Sequence, residues 1–509
     1  MRPTVLYTLV AAGLVMGSLV LRSPAISEWG FLNPDEAALL TWARAARDSP
    51  VPFSTWETGT TGPVGPLVLA GLSGLGAPLT LAFAHLLSAV LLALIAFGLF
   101  VAASRAIGRG PAFVAIMVWW FPIAITYPLG GRADFDALST EYFPVSLIVA
   151  SALVPRGQLV ARPWLFAIVG VLAGLAVGAK YQAAPLAVAW FAAQLIALRP
   201  GVKRAAVAVL WWLVGAALPA AVVMLVMLAS SATNWSLVAQ ELSFLTAYAG
   251  GPSQLQKVAS TLHALITPKY YLLVGLAGLI WLGRHSDRSS NVARIVLVAG
   301  GFTAVLMGGM GFAHYLILLF GAGGLAVTMP VKPGASLVPR RVAPRLVIGG
   351  VAVALMVALV NGWVIDKGRA ASPHRVLAAF SPDSVESNPT MARVCPARSK
   401  VVVWGWAAQL YIAQDWQSTI PYVTAYFLTP DNKRTAEAVV RSGIEGADCV
   451  VEATSMKLCP PTTCNTTMPP EFALARFYPE LAELVSTRFQ SVPINDCDGC
   501  SLYVRNKPS

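Results

Sequence analysis

Charged residues are scarce in this sequence. Asp, Glu, Lys and Arg together supply 12% of its 509 residues, whereas hydrophobic residues supply 56%. The mean hydropathy is +0.66, and soluble domains are usually only about 45–50% apolar. The apolar residues come in blocks of about 17–25, the length of a helix that crosses a bilayer. The composition therefore excludes an ordinary soluble protein and predicts an α-helical polytopic membrane protein.

Acidic residues are the scarcer charge, and the formal net charge is +12. An excess of this size can indicate binding to nucleic acid. Here, however, Lys and Arg cluster in short loops between the hydrophobic blocks. Cytoplasmic loops of membrane proteins carry such an excess. The basic residues are therefore interpreted as setting the orientation of the helices, and no nucleic-acid partner is expected.

Placing the basic loops in the cytoplasm gives about eleven membrane crossings, with ten or twelve as alternatives and a cytoplasmic N-terminus. The first is interpreted as an uncleaved helix rather than a signal peptide. Residues 63–77 are short and rich in Gly and Pro, which predicts a juxtamembrane or re-entrant helix within the first outside region, 22–79. The predicted crossings, which form a transmembrane domain over 1–363, are residues 4–21, 80–103, 111–127, 142–155, 164–179, 183–198, 205–229, 270–283, 294–309, 313–329 and 346–363.

Cysteine is absent from the first 394 residues, and all six cysteines lie in the tail, 364–509. The topology places this tail outside the cytoplasm, where disulfides form. Six cysteines allow fifteen pairings, which the sequence does not distinguish. Two of the spacings are also compatible with zinc, although disulfides are favoured. The candidates are Cys395, Cys449, Cys459, Cys464, Cys497 and Cys500.

The tail differs from the rest of the chain because short strand-like and helical patterns alternate along it. Strands are predicted over 400–406, 447–453 and 500–506, a short helix over 407–414, and an amphipathic helix over 472–489. This alternation predicts a small α/β domain.

The stretch FLNPDEAALLTW (31–42) places two adjacent carboxylates, Asp35 and Glu36, outside the membrane just after the first hydrophobic block. A carboxylate at this face can act as a general base on an acceptor hydroxyl or amine. Asp35 also follows a proline, so it can instead lie in the first turn of a helix and stabilise the helix dipole. The catalytic interpretation is favoured, with Glu36 as close support.

A second acidic group lies in the outside loop over 128–141. Asp134, Asp136 and Glu141 are predicted to contact the donor or acceptor sugar. The alternatives are ordinary solvation of a loop for the two aspartates and a helix-start carboxylate for Glu141.

A leaving phosphate needs cations or strong hydrogen-bond donors to receive its charge. The candidates at the same predicted depth are Lys180, His314, Arg132, Gln182 and Tyr315. Lys180 can alternatively extend its amine towards the membrane interface, as lysines near helix ends do. His314 can alternatively be a packed histidine bonded to the backbone.

The order of motifs resembles the GT-C glycosyltransferases, in particular the family 39 type, which includes protein O-mannosyltransferases and lipid A aminoarabinose transferases. NPDEAALLTWARAARD (33–48) and GTTGPVGPLVLAGLSGLGA (59–77) are followed by a long helix and a GRxP-like turn. The further matching segments are DFDALSTEYFP (134–144), GAKYQAAPLA (178–187), FAHYLILL (312–319) and VWGWAAQLYI (403–412). One departure is Gly-Pro-Val-Gly-Pro (62–66), where that family usually has Pro-Pro.

The resemblance implies a GT-C fold, a polyprenyl-phosphate sugar donor and a site at the outer membrane face. It implies that Asp35 is the catalytic base or its close support, and that Lys180 and His314 lie near the donor phosphate. Some GT-C enzymes use a divalent metal, Mg or Mn, and others do not, so a metal stays open. The Ala, Val, Gly and Leu bias suits a high-GC bacterium, which makes the inner membrane and periplasm the expected location. A lipid, an envelope glycan and a protein all remain possible acceptors.

Two other functions are weighed against this one. An O-antigen ligase or polymerase would be expected to use Arg and His in a large late loop, but the loop over 230–268 has no Arg. A transporter or flippase of lipid-linked sugars would be expected to show internal repeats and charges at mid-membrane. The sequence shows no clear repeat, and its acids lie at the membrane face.

Overall fold

The computed structural model describes residues 3–27, 34–124, 135–250, 253–266, 286–308, 313–331, 389–405, 407–421, 433–453, 473–494 and 500–506. The predicted crossings at 270–283 and 346–363 lie outside these residues. Arg132, Asp134, Cys459, Cys464 and Cys497 also lie outside them, so their roles stay predictions.

Helices make up most of the described chain because its Ala- and Leu-rich segments satisfy their backbone hydrogen bonds internally, as a bilayer requires. The helices are α1 (Pro3–Ser27), α2 (Pro34–Asp48), α3 (Val64–Gly74), α4 (Leu81–Ile107), α5 (Arg109–Ala124), α6 (Tyr142–Ala152), α7 (Arg156–Ala161), α8 (Leu165–Ala179), α9 (Ala184–Leu198), α10 (Val202–Ala229), α11 (Trp235–Gly250), α12 (Gln254–Ile266), α13 (Arg288–Gly308), α14 (Leu316–Val327), α15 (Pro389–Val394), α16 (Gln409–Ala413), α17 (Lys433–Gly446), α18 (Leu474–Phe477) and α19 (Pro479–Arg488).

Within the described ranges, five helical segments are long and apolar enough to cross a membrane. They are Thr4–Ser23, Leu81–Ile107, Tyr181–Leu198, Val202–Ala229 and Arg288–Gly308. Helix α3 occupies the segment predicted as a juxtamembrane helix. The interval 230–268, predicted as a loop, instead contains α11 and α12. Apolar residues recur there at helical spacing, for example Leu255, Val258 and Leu262, and this pattern favours helix.

The described residues form two compact units. The first comprises Met1–Ala25, His85–Met224 and Gly251–Ser372. Its core is made of aliphatic and aromatic side chains such as Phe100, Trp120 and Trp190. Helices α8 and α10 approach closely because Gly170 and Gly215 lack side chains at the crossing. A Cβ atom on Gly170 would overlap the carbonyl oxygen of Trp212, and one on Gly215 that of Ala167. Small residues allow such close backbone approach in membrane helices.

The second unit comprises Ile26–Ala84, Leu225–Gly250 and Pro373–Ser509. Its described C-terminal part contains a five-stranded sheet in the order β2-β1-β3-β5-β4. The strands are β1 (Lys400–Gly405), β2 (Gln417–Ser418), β3 (Cys449–Ala453), β4 (Phe489–Val492) and β5 (Ser501–Arg505). β1 pairs in parallel with β2 and β3, and β5 pairs antiparallel with β3 and β4. The strand over 401–405 is wholly buried, as expected for the centre of a sheet covered on both faces.

A disulfide joins Cys395, just before β1, to Cys449 at the start of β3. The bond spans 54 residues of sequence, and Cys500 is also disulfide-bonded. The amphipathic helix predicted over 472–489 is interrupted at Tyr478 and ends at Arg488. Pro479 disfavours helical backbone at the residue before it, which explains the interruption. The edge strands β2 and β4 were missed because each is only a few residues long.

Candidate active site

Asp35 and Glu36 lie in the first turn of α2, which begins at Pro34. Glu36 is completely buried within the second unit, whereas Asp35 is partly exposed. Proline is favoured at the first position of a helix because its missing N–H would be unsatisfied there anyway. The helix-start interpretation of Asp35 and the catalytic one are therefore compatible, since the helix holds the carboxylate in place. Of the two acids, Asp35 is the one whose side chain reaches the surface.

In the first unit, Lys180 and Glu141 form a buried ion pair. Nζ of Lys180 lies 3.2 Å from Oε1 of Glu141, and both side chains are 0% exposed. The other carboxylate oxygen of Glu141 accepts hydrogen bonds from Ser139 at 2.8 Å and Thr140 at 3.2 Å. Lys180 directly follows α8, where the helix dipole favours a cation. The structure thus brings together two residues that the sequence assigned to different parts of the substrate.

Tyr315 and His314 belong to the same cluster. The ammonium of Lys180 lies 5.3 Å from the centroid of the Tyr315 ring, a distance suited to a cation–π interaction. The rings of His314 and Tyr315 meet edge to face, with centroids 4.7 Å apart. Both residues lie in a short 3-10 turn that precedes α14. His314 and Tyr315 are nearly fully buried, so packing holds this cluster in place.

Gln182 follows Lys180 in a 3-10 turn and is 5% exposed. No donor among the described residues reaches its side-chain oxygen. A buried polar atom without a partner is costly. This oxygen therefore retains the capacity to accept a hydrogen bond from a substrate hydroxyl.

Asp136 is held in a separate buried network centred on Arg22. Nε of Arg22 lies 3.3 Å from Oδ1 of Asp136, with both side chains 0% exposed. The guanidinium also donates to Ser88 at 2.9 Å, to the carbonyl oxygen of Ile123 at 3.1 Å and to the hydroxyl of Tyr142 at 2.7 Å. The network neutralises the carboxylate of Asp136. Sequence reasoning missed Arg22, although an arginine at the end of an apolar helix is a signal that it needs a partner.

Sequence reasoning also missed a buried pair of carboxyl groups in the second unit, Glu57 and Glu241. They are 3% and 5% exposed. Thr58 donates its hydroxyl to Glu241 at 2.9 Å, and the backbone N–H of Gly59 donates to Glu57 at 3.3 Å. Burial, followed by the neighbouring charge of Glu241, raises the pKa of Glu57 well above its usual value. Burial raises the pKa of Glu241 to about 7. A lone acid in the apolar helix α11 was the available signal.

This pair predicts a dependence of stability on pH. Because the folded-state pKa of Glu241 is raised from 4.5 to about 7, the folded protein binds more protons than the unfolded chain between those values. The stabilisation is complete below about pH 4.5 and is lost as the pH rises through about 7, with a slope of about 1.4 kcal/mol per pH unit for one proton. Glu241→Gln should flatten this slope in thermal unfolding measured in detergent from pH 5 to 8.

The control for that experiment is Glu483→Gln, since Glu483 is exposed on α19 and lies outside the pair. It should leave the slope of the parent protein unchanged. An equal slope in the parent and in Glu241→Gln would contradict the raised pKa of Glu241.

No protein-family model and no curated protein sequence matches this chain. Solved structures do match, among them two of ArnT. The crystal structure of ArnT from Cupriavidus metallidurans bound to undecaprenyl phosphate matches with a TM-score of 0.58 at 14% sequence identity, covering 98% of this chain and 97% of that chain. The structure of the same protein in the apo state matches with a TM-score of 0.53 at 13% identity, with the same coverage.

At this level of identity, the likeness shows the fold. It extends over nearly the whole of both chains, so it includes the helical part and the small α/β part together. The chain is an α-helical multi-pass membrane protein with the fold of ArnT, as the sequence predicted.

Proposed function

We propose that this protein is a glycosyltransferase that moves a sugar from a polyprenyl-phosphate donor to an acceptor at the periplasmic face of the bacterial inner membrane. The observation that carries the proposal is the match, over 98% of the chain, to an ArnT structure bound to undecaprenyl phosphate. The basic loops support a cytoplasmic N-terminus and a periplasmic C-terminal domain. The acceptor class stays open between lipid, envelope glycan and protein.

The proposed reaction needs a base and a group that receives the leaving phosphate. Asp35 takes the proton from the acceptor hydroxyl or amine, whose heteroatom attacks the anomeric carbon of the sugar. The new glycosidic bond forms as the bond from that carbon to the phosphate oxygen breaks, and the polyprenyl phosphate leaves with the electron pair. Lys180 receives the added negative charge of this phosphate. The partial exposure of Asp35 supports its role as the proton acceptor.

The buried partners of these groups act as supports. Glu141 is proposed to hold the ammonium of Lys180, since their ion pair fixes the position of Nζ. An ammonium has three donor hydrogens, and Glu141 occupies one side of it. The ring of Tyr315 lies on another side and packs against His314, and Gln182 offers its free oxygen to a sugar hydroxyl.

The role proposed for Asp136 differs from the sugar contact that the sequence predicted. Asp136 is proposed to order the segment that carries Glu141, because its charge is neutralised by Arg22. A divalent metal, Mg or Mn, stays open as the sequence left it, and the part of the chain that the structure describes contains no group of three or more His, Cys, Asp or Glu able to hold one.

The proposal is tested by the class of donor that the purified protein uses in liposomes. Radiolabelled sugars would be supplied as polyprenyl monophosphates, as glycans on polyprenyl diphosphate, and as nucleotide sugars, each with an envelope extract as acceptor. We expect transfer from a monophosphate donor only. Transfer only from the diphosphate-linked glycan would replace the proposal with a ligase, and movement of the lipid-linked sugar across the bilayer without transfer would replace it with a flippase.

A further inference from the structure

A cavity of about 520 Å³ lies within the second unit, between the C-terminal half of α2 and the segments that carry Arg398 and residues 415–421. This volume falls within the range of about 300–1,000 Å³ that is usual for small-molecule sites. The cavity is used by none of the groups proposed above for catalysis. Its lining combines indole rings, hydroxyl and amide groups, and charged side chains.

The walls of the cavity are fixed by hydrogen bonds. The indole N–H of Trp56 donates to the carbonyl oxygen of Ser49 at 2.9 Å, and that of Trp416 donates to the carbonyl oxygen of Cys395 at 2.8 Å. Arg44 donates to the carbonyl oxygens of Tyr411 and Leu79, each at 3.1 Å. The bond from Arg44 to Tyr411 ties helix α2 to the α/β domain, and the others fix each wall. The cavity is therefore formed before any ligand binds, which lowers the ordering cost of binding.

The charges in the cavity do not cancel. Arg44 lies 3.2 Å from a carboxylate oxygen of Asp415, and Arg47 lies 3.3 Å from that of Asp48. Arg398 is exposed at the cavity and has no acidic partner among the described residues. The guanidinium of Arg398 is therefore available to bind an anion.

The position of Arg398 is imposed by its backbone. Its N–H donates to the carbonyl oxygen of Asp415 at 2.7 Å, and both residues have left-handed backbone, with φ of 66° and 53°. Residues other than glycine rarely adopt this conformation. Such strained positions cluster at ligand sites, where the surrounding structure holds them.

We propose that this cavity binds a saccharide that carries a single carboxylate or phosphate group, with Arg398 contacting the anion. A guanidinium matches the geometry of either group with two hydrogen bonds. Thr41, Thr55, Gln417 and Ser418 supply donors and acceptors for sugar hydroxyls, and the indole edges supply apolar contact. That this saccharide is the acceptor of the transfer rests on the proposed function. That the cavity binds it does not.

Binding is measured directly by calorimetry on the full chain in nanodiscs. The probes are a trisaccharide of one galacturonate and two galactose units, the uncharged trisaccharide of galactose, and inorganic phosphate as competitor. The trisaccharide with one carboxylate should bind at least about 10-fold more tightly than the neutral one, because a hydrogen bond to a charged group contributes about 10–100-fold in affinity. Arg398→Gln should remove that difference. Thr55→Trp should block the cavity and weaken both sugars.

The matched control is Arg393→Gln, since Arg393 is an exposed arginine five positions away that does not line the cavity. It should bind as the parent does. Competition by inorganic phosphate would show that the anion position also accepts a phosphate group, and binding without competition that it selects a carboxylate. Equal affinity for charged and neutral sugars, an unchanged Arg398→Gln, or no binding to the folded parent would each overturn the proposal. These binding results do not depend on whether sugar transfer is observed. Failure of this proposal is therefore distinguishable from failure of the proposed function.

Discussion

Replacing Asp35 with Asn is expected to lower the rate of sugar transfer by about 10²–10⁴-fold, the usual contribution of a general base. Asparagine has the shape of aspartate but takes up no proton at neutral pH. The substitution also removes a carboxylate from the first turn of α2, which costs only about 0.3–1 kcal/mol in helix stability. The measurement is transfer from a polyprenyl-phosphate sugar in liposomes, with thermal unfolding as a check on folding.

The chain offers a matched control in Glu480. It lies in the first turn of α19, directly after Pro479, just as Asp35 lies in α2 directly after Pro34. Glu480→Gln should change stability by a similar small amount and leave transfer at the parental rate. Parental transfer by Asp35→Asn would rule out Asp35 as the base and turn the search to Glu57 and Glu241.

The second large effect is expected from Lys180→Met. The variant leaves Glu141 buried without its cation, and breaking a buried ion pair on one side costs about 3–5 kcal/mol. We also expect loss of transfer, because the leaving phosphate loses its proposed partner. The unfolding midpoint in detergent and the KM for the donor would both be measured. On its own, this variant does not separate a structural role from a functional one.

The double variant Lys180→Met with Glu141→Gln separates them. It removes both charges, so no unpaired ion is left buried, and much of the lost stability should return. Transfer should stay low, because a thioether is uncharged and donates no hydrogen bond to a phosphate. A double variant that is both stable and fully active would show that Lys180 serves only to neutralise Glu141.

Much of the fold follows from the sequence because its signals are local. Apolar length predicts α4 and α10, and short alternating patterns predict β1, β3 and β5. The partnerships are not local. Arg22 meets Asp136 across more than a hundred residues, and Glu57 meets Glu241 across a comparable interval. The sequence carries a signal that Arg22 and Glu241 need partners, but the choice of partner depends on packing between distant helices.

In the candidate site, too, the sequence predicted single residues but not their partners. The sequence selected Lys180, Glu141, His314 and Tyr315 one by one from their predicted depth. It assigned Lys180 to the donor phosphate and Glu141 to the donor or acceptor sugar, whereas the structure pairs them directly. Depth along the membrane is readable from hydrophobic length, but contact within one layer depends on which helices are neighbours.

The make-up of the second unit has a consequence for how the protein is synthesised. Residues 26–84 pack with residues 373–509, so roughly 290 residues are translated between the two segments. At about 5–20 residues per second, on the order of 15–60 s pass after the synthesis of residues 26–84 before residue 373 is reached. During that interval the part of α2 that later contacts α16, where Arg44 donates to Tyr411, is uncovered, whereas α3 already packs against another part of the helix. Release of the nascent chain before residue 373 would leave that contact unmade.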